Sequence, residues 1–347
     1  MSTKKIKYEE IEKLPKCDLH VHLDGSLRIP TIIELAKENK IKLPSMTAQG
    51  IRKHVMKDKN CVSLVDYLGA FDITLQVMQE KDSLIRTTFE LVEDAALENT
   101  KYIEIRFSPI LHQNNGLTLT EIVDAVLEGC YLAEKKYDIT TGIIICGMRH
   151  VDPAISLRLA ELSVAYKNKK VVGFDLAGAE ANFPAKDHKE AFFLILNNNI
   201  NCTLHAGEAY GPESISQAVH YCGAHRIGHG TRLKENGDLL NYINDHRIPL
   251  EICPSSNIHT NGVDKMESHP LKFYYDFGLR VTINTDNRLV SNTSMSKELF
   301  LLVETFDFSM DDIKNILTHG FKSAFMCYKD KNRMLDKVLP LMGRKRF

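Results

Sequence analysis

Apolar positions along the chain follow two distinct periods. Short, nearly continuous apolar runs recur at Cys17–Leu23, Tyr102–Phe107, Thr141–Gly147, Val171–Leu176, Asn201–His205, Arg226–Gly228, Ile248–Cys253 and Leu279–Asn284. Runs of this kind predict strands covered on both faces, as in a parallel sheet. Between them lie longer stretches with helical spacing. Leu84, Ile85, Phe89, Val92 and Ala96 mark one such face, with Asp82 or Ser83 placed to cap it. Ile122, Val126, Leu127, Cys130 and Leu132 mark a second, and Ile155, Leu157, Leu159, Leu162 and Val164 a third.

Eight strands alternating with helices, without a linker or low-complexity stretch, predict an α/β fold: a (β/α)8 TIM barrel forming one domain over residues 1–347. No G-x-G-x-x-G follows an early strand, which argues against a doubly wound open sheet. About 80 residues separate the first strand from the second, where ~30 would hold a crossover helix. Extra helices are therefore expected after the first strand, around Pro30–Asn39 and Ser63–Gln79. An insertion there leaves the C-terminal mouth of a barrel, placed either to roof it as a lid or merely to pack beside it.

Composition narrows the classes without choosing among them. Hydrophobic residues make up 44% and charged residues 26%, as in ordinary globular proteins. A formal net charge of -1 gives no reason to expect nucleic acid or a membrane as partner. Eight scattered cysteines without a C-x-x-C pair read as reduced, buried thiols. The charged N-terminal segment lacks the apolar core of a secretory signal, and no apolar stretch reaches the ~18 residues of a membrane span. The expected location is cytoplasmic; the oligomeric state is not legible.

Candidate chemistry collects at strand ends. The first run ends in His20-Val21-His22-Leu23-Asp24, where alternation puts His20 and His22 on one face. The fifth ends in His205-Ala206-Gly207-Glu208, the sixth leads into His229, and the eighth reaches Asp286-Asn287. In a barrel these ends surround one mouth. Three imidazoles and a carboxylate, His20, His22, His205 and Asp286, suit Zn2+ with a position left for water, although cobalt or iron would also be tolerated. Glu208 and His229 remain as acid–base groups. His150 and His269 are placed to support the mouth, whereas His112, His188, His246 and His259 are expected in surface or loop roles. The run Gly343-Arg344-Lys345-Arg346 reads as a solvated tail.

The string Lys16-Cys17-Asp18-Leu19-His20-Val21-His22-Leu23-Asp24-Gly25-Ser26 resembles the first-strand signature of adenosine deaminases in the amidohydrolase superfamily. Arg106-Phe107-Ser108-Pro109, Phe174-Asp175-Leu176-Ala177-Gly178, His205-Ala206-Gly207-Glu208, Arg226-Ile227-Gly228-His229-Gly230, Cys253-Pro254-Ser255-Ser256-Asn257, His269-Pro270 and Asn284-Thr285-Asp286 resemble further blocks in the right order. The resemblance spans roughly residues 15 to 330. It implies a zinc-dependent barrel enzyme with one Zn2+ per chain. Its reaction would be hydrolytic deamination of adenosine and 2′-deoxyadenosine to inosine and deoxyinosine plus ammonia, in purine salvage. It further implies that His20, His22, His205 and Asp286 bind zinc, that Glu208 protonates N1 of the purine as hydroxide attacks C6, and that His229 orients or deprotonates the nucleophile. Asp24 would bind a ribose hydroxyl and the Gly178 backbone the base, with His22 also lining the substrate site. Many members carry a second Asp where this chain has Asn287; an Asn can still donate an N–H to N7. Adenine deaminase, acting on the free base, is the alternative. Asp24 argues against it, since that subgroup more often carries Glu there.

Overall fold

The computed structural model describes residues 6–57, 61 and 63–345. Residues 1–5 of the N-terminal segment and Arg346 of the basic tail lie outside the described residues. Eight strands, β1 (Lys16–His22), β2 (Thr100–Phe107), β3 (Thr140–Met148), β4 (Val171–Ala177), β5 (Asn201–Ala206), β6 (Arg226–His229), β7 (Leu250–Ile252) and β8 (Val281–Ile283), pair in chain order. Every pair is parallel. The ring closes between β8 and β1 through a bridge at Val21 and Asp286, with the Asp286 N–H donating to the His20 carbonyl and the His22 N–H to the Asp286 carbonyl, each at 2.7 Å. This is the expected (β/α)8 barrel.

Its strands are buried on both faces because helices cover the outside while side chains fill the inside. β7 and β8 are shorter than their apolar runs. Pro254, at the first turn of the helix Pro254–His259, ends the ladder after β7. Beyond β8 the Asn284 side chain, not its strand backbone alone, links to β1, accepting from the Leu19 N–H at 2.9 Å.

The three expected helices form at Lys81–Leu97, Leu119–Lys136 and Pro153–Ala165, with two corrections. The first is capped by Glu80, which makes no side-chain cap, not by Asp82 or Ser83; Ser83 is buried one turn inside. In the second, Leu132 is exposed, because the buried stripe runs through Ile122, Val126, Cys130 and Ala133. The long connection after β1 holds the helices Ile29–Glu38, Ala48–Val55, Leu64–Leu68 and Phe71–Gln76 before the crossover helix. The last two stand over the mouth. Tyr67, Cys61 and Ala70 pack with Val290 in a small apolar cluster separate from the main core, and the Tyr67 hydroxyl meets Ser291 Oγ at 2.8 Å. The insertion is thus a roof docked on the β8 loop.

All eight cysteines are unpaired and only Cys327 is exposed. His246 is exposed and stacks on Tyr242, as its loop role requires. His112 and His188 are instead buried: His112 Nδ1 meets the Met78 carbonyl at 3.1 Å, and His188 bridges Ser156 and the Arg149 carbonyl. Each imidazole satisfies a buried polar group that no local pattern announced. The basic tail is not simply solvated, since Arg344 donates to Asn315 Oδ1 at 2.6 Å and to the Asp311 carbonyl at 2.9 Å. Among the described residues no helix is long and apolar enough to cross a membrane.

Candidate metal centre and substrate cavity

His20 and His22 project together from the end of β1, His205 comes from β5, and Asp286 follows β8. Their ligand atoms lie within 4.8 Å of one another. His20 Nε2 and His22 Nε2 are each 3.1 Å from His205 Nε2, and 3.3 and 3.4 Å from Asp286 Oδ1. Bonds of ~2.0–2.1 Å to a tetrahedral ion place neighbouring ligand atoms roughly 3.3 Å apart, so these separations fit one small cation. Gly228 makes the approach possible: a Cβ there would stand 3.1 Å from both His20 Cε1 and the His205 Cα.

The proton positions make the same case. His20 Nδ1 faces Glu251 Oε2 at 2.9 Å and His205 Nδ1 faces Asp175 Oδ2 at 3.0 Å. A carboxylate can only accept, so each Nδ1 carries a hydrogen and, in the neutral ring, each Nε2 presents a lone pair. Lone pairs 3.1 Å apart repel unless a cation lies between them. Arg106, fully buried, holds both supporting carboxylates, with Nη1 2.9 Å from Asp175 and Nη2 2.8 Å from Glu251. Arg226 and Thr203 bind the other Glu251 oxygen. Burial drives His22 well below its ordinary pKa and lowers that of His205. Burial opposes ionisation of Asp286, yet the surrounding imidazoles of His20 and His22 hold it well below the usual carboxylate range. Ser256 Oγ binds its second oxygen.

Asp286 and His229 adopt φ of 58° and 63°, a left-handed conformation uncommon outside glycine. Strain of this kind is tolerated where the surroundings over-determine the geometry.

A chain of hydrogen bonds fixes the His229 tautomer. The Leu271 N–H donates to His269 Nδ1 at 3.0 Å, so in the neutral ring the hydrogen sits on Nε2 and is donated to Asn257 Oδ1 at 3.2 Å. Burial keeps His269 neutral, with its pKa pushed down to about 3. The Asn257 amide must then donate from Nδ2 to His229 Nδ1, at 2.9 Å. His229 is left with its hydrogen on Nε2, 3.5 Å from Glu208 Oε2.

Glu208 is buried, and its Oε1 has no hydrogen-bond partner. Burial, reinforced by the charge of Asp286, raises its pKa to about 8. A cavity of about 250 Å³ brings Glu208, His229, His22, His205 and Asp286 together with Asp24, Gly178 and Asn287, and with His150. Asp24 Oδ1 and Asn287 Oδ1 are buried there without partners. Gly178 has φ of 92°, and a Cβ would meet His150 Nδ1 and Met148 Cε at 3.1 Å. The bare backbone therefore forms that wall. Leu64, Tyr67, Leu68, Phe71 and Leu75 of the insertion supply an apolar one. No Lys or Arg lines this cavity among the described residues.

All expected site residues thus converge. Sequence reasoning assigned no role to Arg106, Asp175, Glu251, Ser256 or Asn257. The available signal was a charged residue inside an apolar strand, as at Arg106 and Glu251.

Comparison with known proteins agrees with this geometry. The sequence model described as adenosine deaminase matches residues 15–340. The chain is 43% identical to a probable adenosine deaminase of Dictyostelium discoideum, covering 94% of this chain but only 42% of that protein's length. It is 41% identical to the adenosine deaminase of Mycobacterium ulcerans, covering 95% and 96% of the two chains. For that of Clostridium acetobutylicum the identity is 39%, with coverage of 95% and 98%. Among solved structures, Arthrobacter aurescens adenine deaminase superposes with a TM-score of 0.89 at 24% identity, covering 95% and 99%, a likeness of fold. The Arabidopsis N6-mAMP deaminase superposes at 0.86 with 26% identity over 95% and 99%. The chain belongs to the adenosine deaminase family.

Proposed function

We propose that this protein is a zinc-dependent adenosine deaminase acting on adenosine and 2′-deoxyadenosine. The observation that carries the reading is a buried carboxyl, Glu208, sharing one cavity with His22, His205 and Asp286, which with His20 form a cluster of metal-ligand type. Three imidazoles and one carboxylate favour Zn2+ among divalent ions, and a zinc ion held there would lower the pKa of a water toward neutrality.

The chain's own groups account for the remaining steps. Glu208, whose burial favours the protonated form, delivers its proton to N1 of the purine, which leaves C6 electron-poor and open to attack by water oxygen. The C6–O bond forms as the Asp286 carboxylate takes one proton from the water and passes it to the amino group, which leaves as ammonia when the C6–N bond breaks; the second water proton returns to Glu208 as the C6 carbonyl forms. His229 carries its hydrogen on Nε2, which supports a role in orienting the nucleophile by donation over one in deprotonating it. Asp286, ionised, accepts a hydrogen bond from the incoming water. Asp24 is suited to a ribose hydroxyl, the Gly178 backbone to the base edge, and Asn287, by donating from its amide, to N7.

Absence of cationic side chains from the described cavity lining favours a neutral nucleoside over a nucleotide, whose phosphate would face Asp24 and Asp72. The buried Asp24 Oδ1, which has no hydrogen-bond partner, likewise favours a nucleoside over adenine, which has no hydroxyl to offer it. The test is the ultraviolet change on conversion of adenosine, with 2′-deoxyadenosine, adenine and AMP in parallel, before and after chelation. Faster turnover of adenine or AMP than of adenosine would overturn the substrate assignment; undiminished activity after complete metal removal would overturn the mechanism.

A further inference from the structure

Glu180 lies two residues beyond Gly178 in the loop after β4, and is 5% exposed. Its Oε1 accepts from the Gly207 N–H at 2.6 Å. Its Oε2 accepts from the N–H groups of Glu208, Ala209 and Tyr210 at 3.0, 2.6 and 2.9 Å. Four consecutive amides of one turn therefore converge on a single carboxylate, a concave array of the kind that binds anions. Hydrogen bonds to an ionised acceptor are stronger than neutral ones, and together they offset the cost of burying the charge.

That turn carries Glu208. Its opposite, carbonyl side is held by the β6 loop, where Thr231 Oγ1 and the Arg232 N–H both donate to the Gly207 carbonyl, at 2.6 and 3.1 Å. The amide side has Glu180. The Glu208 side chain makes little of its own anchorage, since Oε1 has no hydrogen bond and Oε2 is 3.5 Å from His229. The carboxyl is placed by its backbone, and the backbone by Glu180.

We propose that Glu180 is a positioning residue for Glu208, joining the loop of Gly178 to the turn of the proton donor so that base contact and donor keep one fixed spacing. The proposal rests on the reading of Glu208 as proton donor. Proton transfer tolerates little displacement: a shift of ~1 Å can cost on the order of a hundredfold in rate. In Glu180→Gln an NH2 replaces one accepting oxygen and faces N–H groups, so the array loses one or three of its four bonds.

The experiment is a double-mutant cycle in the metal-loaded enzyme, with metal content, kcat and KM for adenosine measured for Glu180→Gln, Glu208→Gln and the pair. The expected Glu180→Gln enzyme keeps its metal and loses roughly ten- to a hundredfold in kcat, with a smaller change in KM. If Glu180 acts through Glu208, the double variant is no slower than Glu208→Gln alone, to within about twofold. A general structural role would instead multiply the two losses. A Glu180→Gln kcat within about threefold of wild type, or multiplied losses in the pair, overturns the proposal while leaving the donor reading intact. Near-normal activity of Glu208→Gln overturns the donor reading and the proposal with it. Should Glu180→Gln not fold, Glu180→Asp, which keeps the charge but withdraws it by one methylene, is read by the same criteria.

Discussion

Replacing Glu208 by Gln is expected to remove most activity and, in the metal-free protein, to stabilise the fold increasingly as pH rises. Glu208 titrates near its ordinary value of 4.5 when unfolded, but burial raises it to about 8 in the folded chain. The folded state therefore holds this proton more tightly than the unfolded state. Its contribution to wild-type stability is greatest below pH 4.5 and is lost as pH rises toward 8. Linkage with these two values puts the wild-type loss at about 1 kcal/mol at pH 5 and about 4 kcal/mol at pH 8. Gln has nearly the same shape and never ionises, so it escapes this loss. Urea unfolding of the two chelated proteins, followed by circular dichroism at pH 5 and pH 8, should give a stability gap that widens by about 3 kcal/mol between them. A gap that is constant with pH, or a wild type that gains on the variant toward pH 8, would refute the argument that burial holds Glu208 protonated. A bound divalent ion lowers the carboxyl's pKa by its charge, so the widening should shrink when metal is restored.

Other perturbations separate the parts of the site. Glu251→Gln leaves one accepting oxygen for two pairs of donors, His20 with Arg106 and Thr203 with Arg226, so the hold on His20 Nδ1 is weakened, and metal affinity measured by competition with a chelator should fall by roughly ten- to a hundredfold. Asn257→Asp presents an acceptor to His229 Nδ1 and moves the hydrogen off Nε2; kcat should drop at least about tenfold while metal content is unchanged, and an unaltered kcat would refute the tautomer assignment. Asn287→Ala should lower kcat/KM for adenosine by about tenfold, one hydrogen bond's worth, without changing metal content. Wild-type activity should also fall on the alkaline side as Glu208 loses its proton, and the residual rate of Glu208→Gln should lack that limb.

The barrel was legible in the sequence because parallel strands buried on both faces leave continuous apolar runs, and eight such runs alternating with helical stretches admit few topologies. His20, His22, His205 and Asp286 stood out because polar residues that end apolar strands in a barrel must share its mouth. What lay beyond the sequence were properties that depend on long-range pairing. Nothing along the chain assigns Glu251 or Asp175 a role; closure of the ring sets them against His20 and His205. The relay from Leu271 to His229 joins segments more than forty residues apart along the chain, and only the folded geometry decides which nitrogen bears the hydrogen. Burial acts in the same way. Glu208 follows its histidine in the sequence like any surface acid, but its raised pKa arises from the water excluded around it and from the neighbouring charge of Asp286, both products of the assembled barrel. The sequence by itself determined the fold class and the chemical types at the mouth; the tertiary structure decided their protonation and their support, because desolvation and hydrogen-bond direction are set by neighbours in space.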